Sequence, residues 1–576
     1  MENWKLLKKF VVFIKIKFIY FLIGSFLLLL LSFFNFIPIF LTKYIIDEIF
    51  PNKNVYLLLW VIFLFFIILT LRIPLGILST YFLSLHREAV VSNLQKTLLE
   101  KIIKAPISYH NKFNPGYLLS RILNESVYLQ SFLGESLTNF LRNFLTFICC
   151  FFIIFFINFK ITFIANIIIF PIVFLTLSFS RIIEKKSFEM QEKISRLFEN
   201  MEETLDGIFL VKIFNIEEYR MKKFSEKVEE VFRRNVNFSI WNSISTILIS
   251  YLISVGSLLI LGICGIDIIK EKLTLGYFFV TYYVVIYFYN SVQGLSDFYK
   301  NIKSVIAVLK RINELLNIEE EATEKGEVLT SIRGEIIFEN VNFSYDSSVL
   351  LKNISFKINP GEKVAIIGKS GSGKTTLVKL LLGLYPFYSG NIYIDGKELK
   401  ELNIKNLRNL IKMLPQEVFI FSESIEENIK LGKEEITKEM IIEALKKSGG
   451  YEFITKLPQD IKTICERKGA IFSGGEKQRI AIARVFAMSP HLLVIDEATS
   501  EIDPVLENLI FKNFFEFMKN KTFIIITHRL KIAPCCDKII LLNNGKIEAI
   551  GRHEQLYNEN SFYKKLYDES IKKERR

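Results

Sequence analysis

Six apolar stretches fill the first half of the chain, and each is long enough to cross a bilayer. A hydrocarbon core of about 30 Å takes about 20 residues of helix, and the predicted spans are 18–41, 55–85, 131–157, 161–179, 240–266 and 275–294. In lipid the backbone must satisfy its own polar groups, so stretches of this length are read as helices. Pro38, Pro74 and Pro171 fall inside them, which membrane helices tolerate better than soluble ones. Lysines precede the first stretch as in a signal peptide. It is too long for one, lacks a small-residue cleavage site, and is followed by five more spans. Composition adds that 51% of residues are hydrophobic and 54 are Phe, which excludes a disordered chain. The cysteines fit neither a disulfide framework nor metal-site spacing: Cys149-Cys150 and Cys535-Cys536 are adjacent, and Cys264 and Cys465 are isolated.

Lys and Arg set the expected orientation. Lys5, Lys8, Lys9, Lys15 and Lys17 precede the first span, and Arg87 to Arg121 and Lys185 to Arg234 crowd the connections after the second and fourth. The other side offers only Lys43, Lys53, Lys160, Lys270 and Lys272. The positive-inside rule then puts the N-terminus, both long connections and the C-terminal half in the cytoplasm, and the protein in the cytoplasmic (inner) membrane. The net charge of +13 has the same origin and does not indicate nucleic-acid binding. Both long connections carry helical periodicity, at 92–104 and 190–232, with elbows expected near 109–119 and 207–217, placed to touch a cytoplasmic domain.

Hydropathy falls after Gly294. The expected division is a six-helix membrane domain over residues 1–315, a linker over 316–333, and an α/β domain over 334–576. Near-continuous apolar runs at 364–367, 492–495 and 522–527 read as strands covered on both faces of a mostly parallel sheet. Directly after the first comes Gly368-Lys369-Ser370-Gly371-Ser372-Gly373-Lys374-Thr375, followed by Thr376 and a helix. The glycines let backbone N–H groups turn toward phosphates at a helix N-terminus. Lys374 would reach the β- and γ-phosphates of ATP, and the Thr375 hydroxyl would ligate Mg2+. The second run ends in Asp496-Glu497, a carboxylate for the metal and a base to orient the attacking water.

Between them, Phe472-Ser473-Gly474-Gly475-Glu476 opens a helix whose start is an anion site. With this segment, nearly the whole chain resembles an ATP-binding cassette (ABC) exporter half transporter, in which the segment usually reads Leu-Ser-Gly-Gly-Gln. Phe472 and Glu476 depart from that pattern. The resemblance implies that Tyr345 stacks on adenine and that Gln416 contacts Mg2+ and links the site to the membrane helices. It also implies that His528 contacts the γ-phosphate, and that Ser473, Gly474, Gly475, Glu476 and Asp503 act across a dimer. A Gly-Glu-Arg-Gly motif usual in the family reads Cys465-Glu466-Arg467-Lys468-Gly469 here, with its acidic residue shifted by one.

The resemblance further implies a homodimer, with a heterodimer beside a degenerate partner as the alternative, and ATP-driven export or flipping of an amphiphile by alternating access. The competing readings are an ATP-gated or regulatory protein without net transport, and a peptide or drug exporter working as half of a heterodimer. For cargo, Arg72 and Arg142 lie within predicted spans. Charge there is costly unless paired or facing water. Two guanidiniums at one depth would suit an anionic amphiphile, similar to the lipid A flippase branch; the alternative is that each pairs with carbonyls or snorkels.

Overall fold

The computed structural model describes residues 10, 13–113, 115–321, 323–345, 349–466, 469 and 471–574. Lys5, Lys8, Lys9, Arg467 and Lys468 lie outside these. The chain forms two compact units: residues up to Lys104 with Phe113–Ile318, and Ala105–Lys112 with the residues from Glu319 onward.

The first unit is helical: α1 (Phe18–Tyr44), α2 (Val55–Ile103), α4 (Pro115–Ser131), α5 (Leu137–Ile157), α6 (Phe159–Asp206), α7 (Ile208–Ile213), α8 (Glu217–Ile269) and α9 (Leu275–Leu316). The short α3 (Ile107–Lys112) belongs to the second unit. Among the described residues, six helical stretches are long and apolar enough to cross a membrane. They run well past the predicted spans. The 49 residues of α2 extend about 74 Å, more than twice a hydrocarbon core. The periodic charged connections are therefore continuations of the membrane helices: 92–103 is the end of α2, and 190–232 is shared among α6, α7 and α8. No Gly or Pro interrupts residues 77–105, so α2 stops only where Pro106 biases the preceding residue out of helix.

Side-chain caps fix three helix starts. Asn54 accepts from Leu57 N (3.1 Å) at α2, Asn158 from Lys160 N (3.0 Å) at α6, and Thr274 from Tyr277 N (3.2 Å) at α9. A π-helical turn, Ile45–Ile49, carries Asp47, which accepts from Thr274 Oγ1 (2.6 Å) and Gly276 N (2.8 Å), joining the end of α1 to the start of α9. Half of the apolar window of α9 is buried within the chain against 11% for α2, so α9 lies inside the bundle and α2 presents its side chains outward. Val280, Val284 and Phe288 of α9 meet Ile161 and Ile172 of α6 and Ile249 of α8 in that core.

The first elbow is the short α3, which overlaps the expected 109–119, and Pro115 begins α4, because proline suits the first helical position. Asn111 of α3 donates to the Tyr385 hydroxyl (2.7 Å), and Ile107 packs on the second unit's core. The second elbow, α7, falls where the sequence places it.

The described residues of the second unit form two sheets. Strands β3 (Lys363–Gly368), β6 (Ile411–Leu414), β7 (Leu492–Asp496), β8 (Thr522–Ile526), β9 (Lys538–Asn543) and β10 (Lys546–Gly551) form the order β10-β9-β3-β8-β7-β6, parallel except for the β9–β10 hairpin. Every residue of β7 and β8 is buried, as strands covered on both faces must be. A second, antiparallel sheet was not anticipated: β1 (Ile336–Ser344), β2 (Val349–Ile358), β4 (Ser389–Ile394) and β5 (Lys397–Glu398), ordered β2-β1-β4-β5. Helices α10 (Lys374–Leu381), α11 (Ile404–Leu410), α12 (Gly474–Met488) and α13 (Pro504–Phe517) carry the site.

Candidate active site

The loop between β3 and α10 is shaped to wrap an anion. Gly371 (φ 78°) and Gly373 (φ 100°) adopt left-handed backbone that side chains with a Cβ resist. A Cβ at Gly371 would meet nothing within 4 Å, so that position is open to approach. Lys369 and Ser370 are exposed at the rim. The buried Ser372 hydroxyl has no hydrogen-bond partner among the described residues, an orphan that a phosphate oxygen would satisfy. Lys374 is 5% exposed, and its Nζ donates to the carbonyls of Gly368 (2.9 Å) and Lys369 (3.0 Å). Burial lowers its pKa, and the charges of Glu497 and Asp496 oppose that shift.

Asp496, at the end of β7, is 2% exposed. Burial raises its pKa, opposed first by a hydrogen bond from Thr375 and then by the charge of Lys374. A hydroxyl beside a carboxylate is a hard oxygen pair of the kind magnesium takes. Glu497 follows with φ 51°, a conformation that costs about 1–3 kcal/mol in a non-glycine residue and persists only where its surroundings hold it. The turn brings its carboxylate to His528 Nε2 (2.8 Å) and Gln416 Nε2 (3.3 Å). Two residues distant in sequence thus meet on the Glu497 carboxylate.

Tyr345 is 45% exposed, with its hydroxyl 3.1 Å from Thr376 Oγ1 and its ring edge-on to Tyr385 at 5.2 Å. At the start of α12, Ser473 and Glu476 form a capping box: Glu476 Oε2 accepts from Ser473 N and Ser473 Oγ, both at 2.8 Å. That gives the atypical Glu476 a local purpose. Phe472 is buried against Phe453, with ring centroids 6.1 Å apart. A Cβ at Gly475 would come within 2.8 Å of the Glu501 carbonyl oxygen, so glycine there lets the 500–503 loop lie close to this helix. Asp503 caps α13, accepting from Leu506 N (3.0 Å). Among the described residues, Ser473–Glu476 and Asp503 make no hydrogen bond to the phosphate loop. Arg72 is half-buried on α2, Arg142 is exposed on α5, and neither forms an ion pair among the described residues.

Arg484 was missed from sequence. Its guanidinium donates to Asn428 O (2.6 Å), Phe419 O (2.7 Å) and Asn428 Oδ1 (2.8 Å), holding the loop that follows Gln416. Burial pushes its pKa down to about 10. An Arg inside the apolar run Ile480–Ala487 was the signal available.

A phosphate loop between a buried parallel strand and a helix, with paired carboxylates on a nearby strand, defines a P-loop ATPase unit, here in one chain with six membrane-crossing helices. Residues 21–292 match the family described as ABC transporter transmembrane region, and residues 351–500 the family described as ABC transporter. The chain belongs to the ABC transporter family. It is 30% identical over 538 residues to the multidrug export ATP-binding/permease protein YgaD of Bacillus subtilis (strain 168), covering 92% of this chain and 93% of that one. It is 28% identical over 539 residues to the ATP-dependent lipid A-core flippase of Syntrophus aciditrophicus (strain SB), covering 93% and 90%. The structure of a bacterial Atm1-family ABC exporter with ATP bound shares the fold, with a TM-score of 0.87 at 23% identity over 95% of this chain and 98% of that one. The protein is an ATP-hydrolysing exporter.

Proposed function

We propose that the protein works as a homodimer in the cytoplasmic membrane and uses Mg2+-ATP to flip or export an amphiphile with an anionic headgroup. The observation that carries the reading is Glu497 held between Gln416 and His528, one residue beyond Asp496. A gate or sensor without turnover has no need of a base positioned at the cost of backbone strain, so net transport is favoured over gating. In this reading Tyr345 stacks on adenine, Gly368–Thr376 hold the phosphates, and Thr375, Asp496 and Gln416 hold magnesium, which would offset charge on the β- and γ-phosphates. Glu497 orients the attacking water and His528 contacts the γ-phosphate. Tighter binding of ATP to the closed dimer supplies the bias for alternating access. In sealed vesicles, hydrolysis should be sensitive to orthovanadate and accompanied by movement of a labelled anionic lipid; hydrolysis without any movement would refute transport.

The dimer rests on complementarity. Ser473–Glu476 are apart from the phosphate loop of their own chain in hydrogen bonding, and closed two-fold assemblies are the common kind. Phe209 (72% exposed) and Phe214 (67%) on and beside α7 are apolar surface that a second copy would cover. In mixed dimers, Ser473→Arg in one protomer should disable the ATP site built on the other's phosphate loop. Loss confined to the mutated chain's own loop, read by site-specific nucleotide photolabelling, would contradict a shared site.

For cargo, Arg72 and Arg142 lie about 23–26 Å from the outer ends of α2 and α5 at 1.5 Å per residue, in the cytoplasmic half of the membrane. Arg142 stands beside Asn143, which packs against Gly294 of α9. Replacing both arginines with Ala should abolish stimulation of ATPase activity by anionic lipids and leave basal hydrolysis intact. Equal stimulation in the double variant would remove the case for an anionic cargo.

A further inference from the structure

The helix that receives the phosphates at one end is tied at its other end to the chain leaving the membrane. Helix α10 terminates at Leu381, and Gly383 (φ 64°) reverses the chain. Arg408 of α11 takes up two carbonyls there, with Nε donating to Leu382 O (3.0 Å) and Nη2 to Gly383 O (3.1 Å). The rest of the guanidinium grips Glu321 in a two-pronged pair, Nη1 to Oε2 at 3.0 Å and Nη2 to Oε1 at 2.5 Å. Glu321 comes five residues after Leu316, where α9 ends.

The contacts farther along this segment differ in kind. Glu324–Lys405 (2.7 Å) and Glu327–Lys397 are largely exposed pairs, which contribute little. The Arg408 and Glu321 side chains are only 28% and 21% exposed, and their planar pairing fixes direction as well as distance.

We propose that Arg408 and Glu321 form a clamp through which nucleotide occupancy at the start of α10 is passed to α9, Arg408 being a positioning residue that does not touch ATP. This rests on the ATP-driven alternating-access reading above. Glu321→Ala separates the two halves of the clamp, since Arg408 keeps Leu382 and Gly383 while the segment after α9 is released.

The test uses the full chain in phospholipid vesicles carrying Tyr283→Cys on the exposed side of α9, with the exposed Cys535 replaced by Ser. Two quantities are measured: nucleotide trapped with orthovanadate, and the maleimide labelling rate at position 283 with and without trapping. Trapping should change that rate by about tenfold in the parent, the ratio that about 1.4 kcal/mol of state preference supplies. Glu321→Ala should trap as much nucleotide, with its labelling ratio falling to near one. Lys405→Ala should behave as the parent. The clamp is overturned if Glu321→Ala keeps the parent's ratio, if it fails to trap nucleotide, or if Lys405→Ala loses the ratio equally. A parent whose labelling ignores nucleotide refutes the alternating-access reading and the clamp with it.

Discussion

Glu497→Gln is expected to bind ATP as the wild type does and to turn it over at least about 10²-fold more slowly, the usual contribution of a positioned base. The substitution keeps size and hydrogen-bonding capacity. A carboxamide oxygen still accepts from Gln416, and the left-handed turn after Asp496 remains. Thr375 and Asp496 are untouched, so metal and phosphate binding should persist. What disappears is the charge that makes the group a base and holds His528 Nε2 at 2.8 Å. The measurement is steady-state phosphate release beside equilibrium ATP binding on the same preparation. Wild-type turnover would remove Glu497 from the reaction; loss of ATP binding would mean that the carboxylate serves the site's architecture.

Different physical signals carried different parts of this reading. The phosphate loop was legible because its chemistry is local: eight consecutive residues, with strand before and helix after, specify backbone that faces an anion. The membrane spans were legible because lipid admits one solution for a long apolar run. Their full lengths were not, since the helical extensions beyond the bilayer carry mixed charge and lack the hydropathy that marks a span. The antiparallel sheet escaped notice for a related reason. Strand β2 alternates buried and exposed positions, as in Ile354, Ser355, Phe356, Lys357 and Ile358, and presents no continuous apolar run. Clusters assembled from distant segments were hidden in principle. Arg484 with Asn428, and Arg408 with Glu321, are ordinary charged and polar residues in sequence, and only the fold shows that their partners are buried carbonyls and a desolvated carboxylate.

Removing the Lys374 ammonium should cost still more in binding. Lys374→Ala is expected to weaken ATP affinity on the order of 10²-fold or more, since hydrogen bonds to charged groups contribute about 1.5–3 kcal/mol each and every 1.4 kcal/mol is tenfold. The free protein keeps this amine on the Gly368 and Lys369 carbonyls, almost fully out of water. It is therefore already desolvated and aimed, and little of its attraction for phosphate is spent on ordering it. One neighbour sets the contrast. Lys369 is exposed at the rim, where an ion pair is screened by water, so Lys369→Ala should change affinity only slightly. Thermal unfolding separates lost affinity from lost structure. A ligand that binds only the folded state stabilises it by RT ln(1 + [L]/Kd), and so raises the melting temperature the more tightly it binds. Lys374→Ala should thus melt near the wild type without nucleotide and lose most of the shift that ATP produces, while Lys369→Ala keeps it. An undiminished shift in Lys374→Ala would show that the phosphates bind elsewhere. A large drop in melting temperature without nucleotide would instead assign Lys374 to holding the loop together, its two carbonyl bonds being the structural contribution lost.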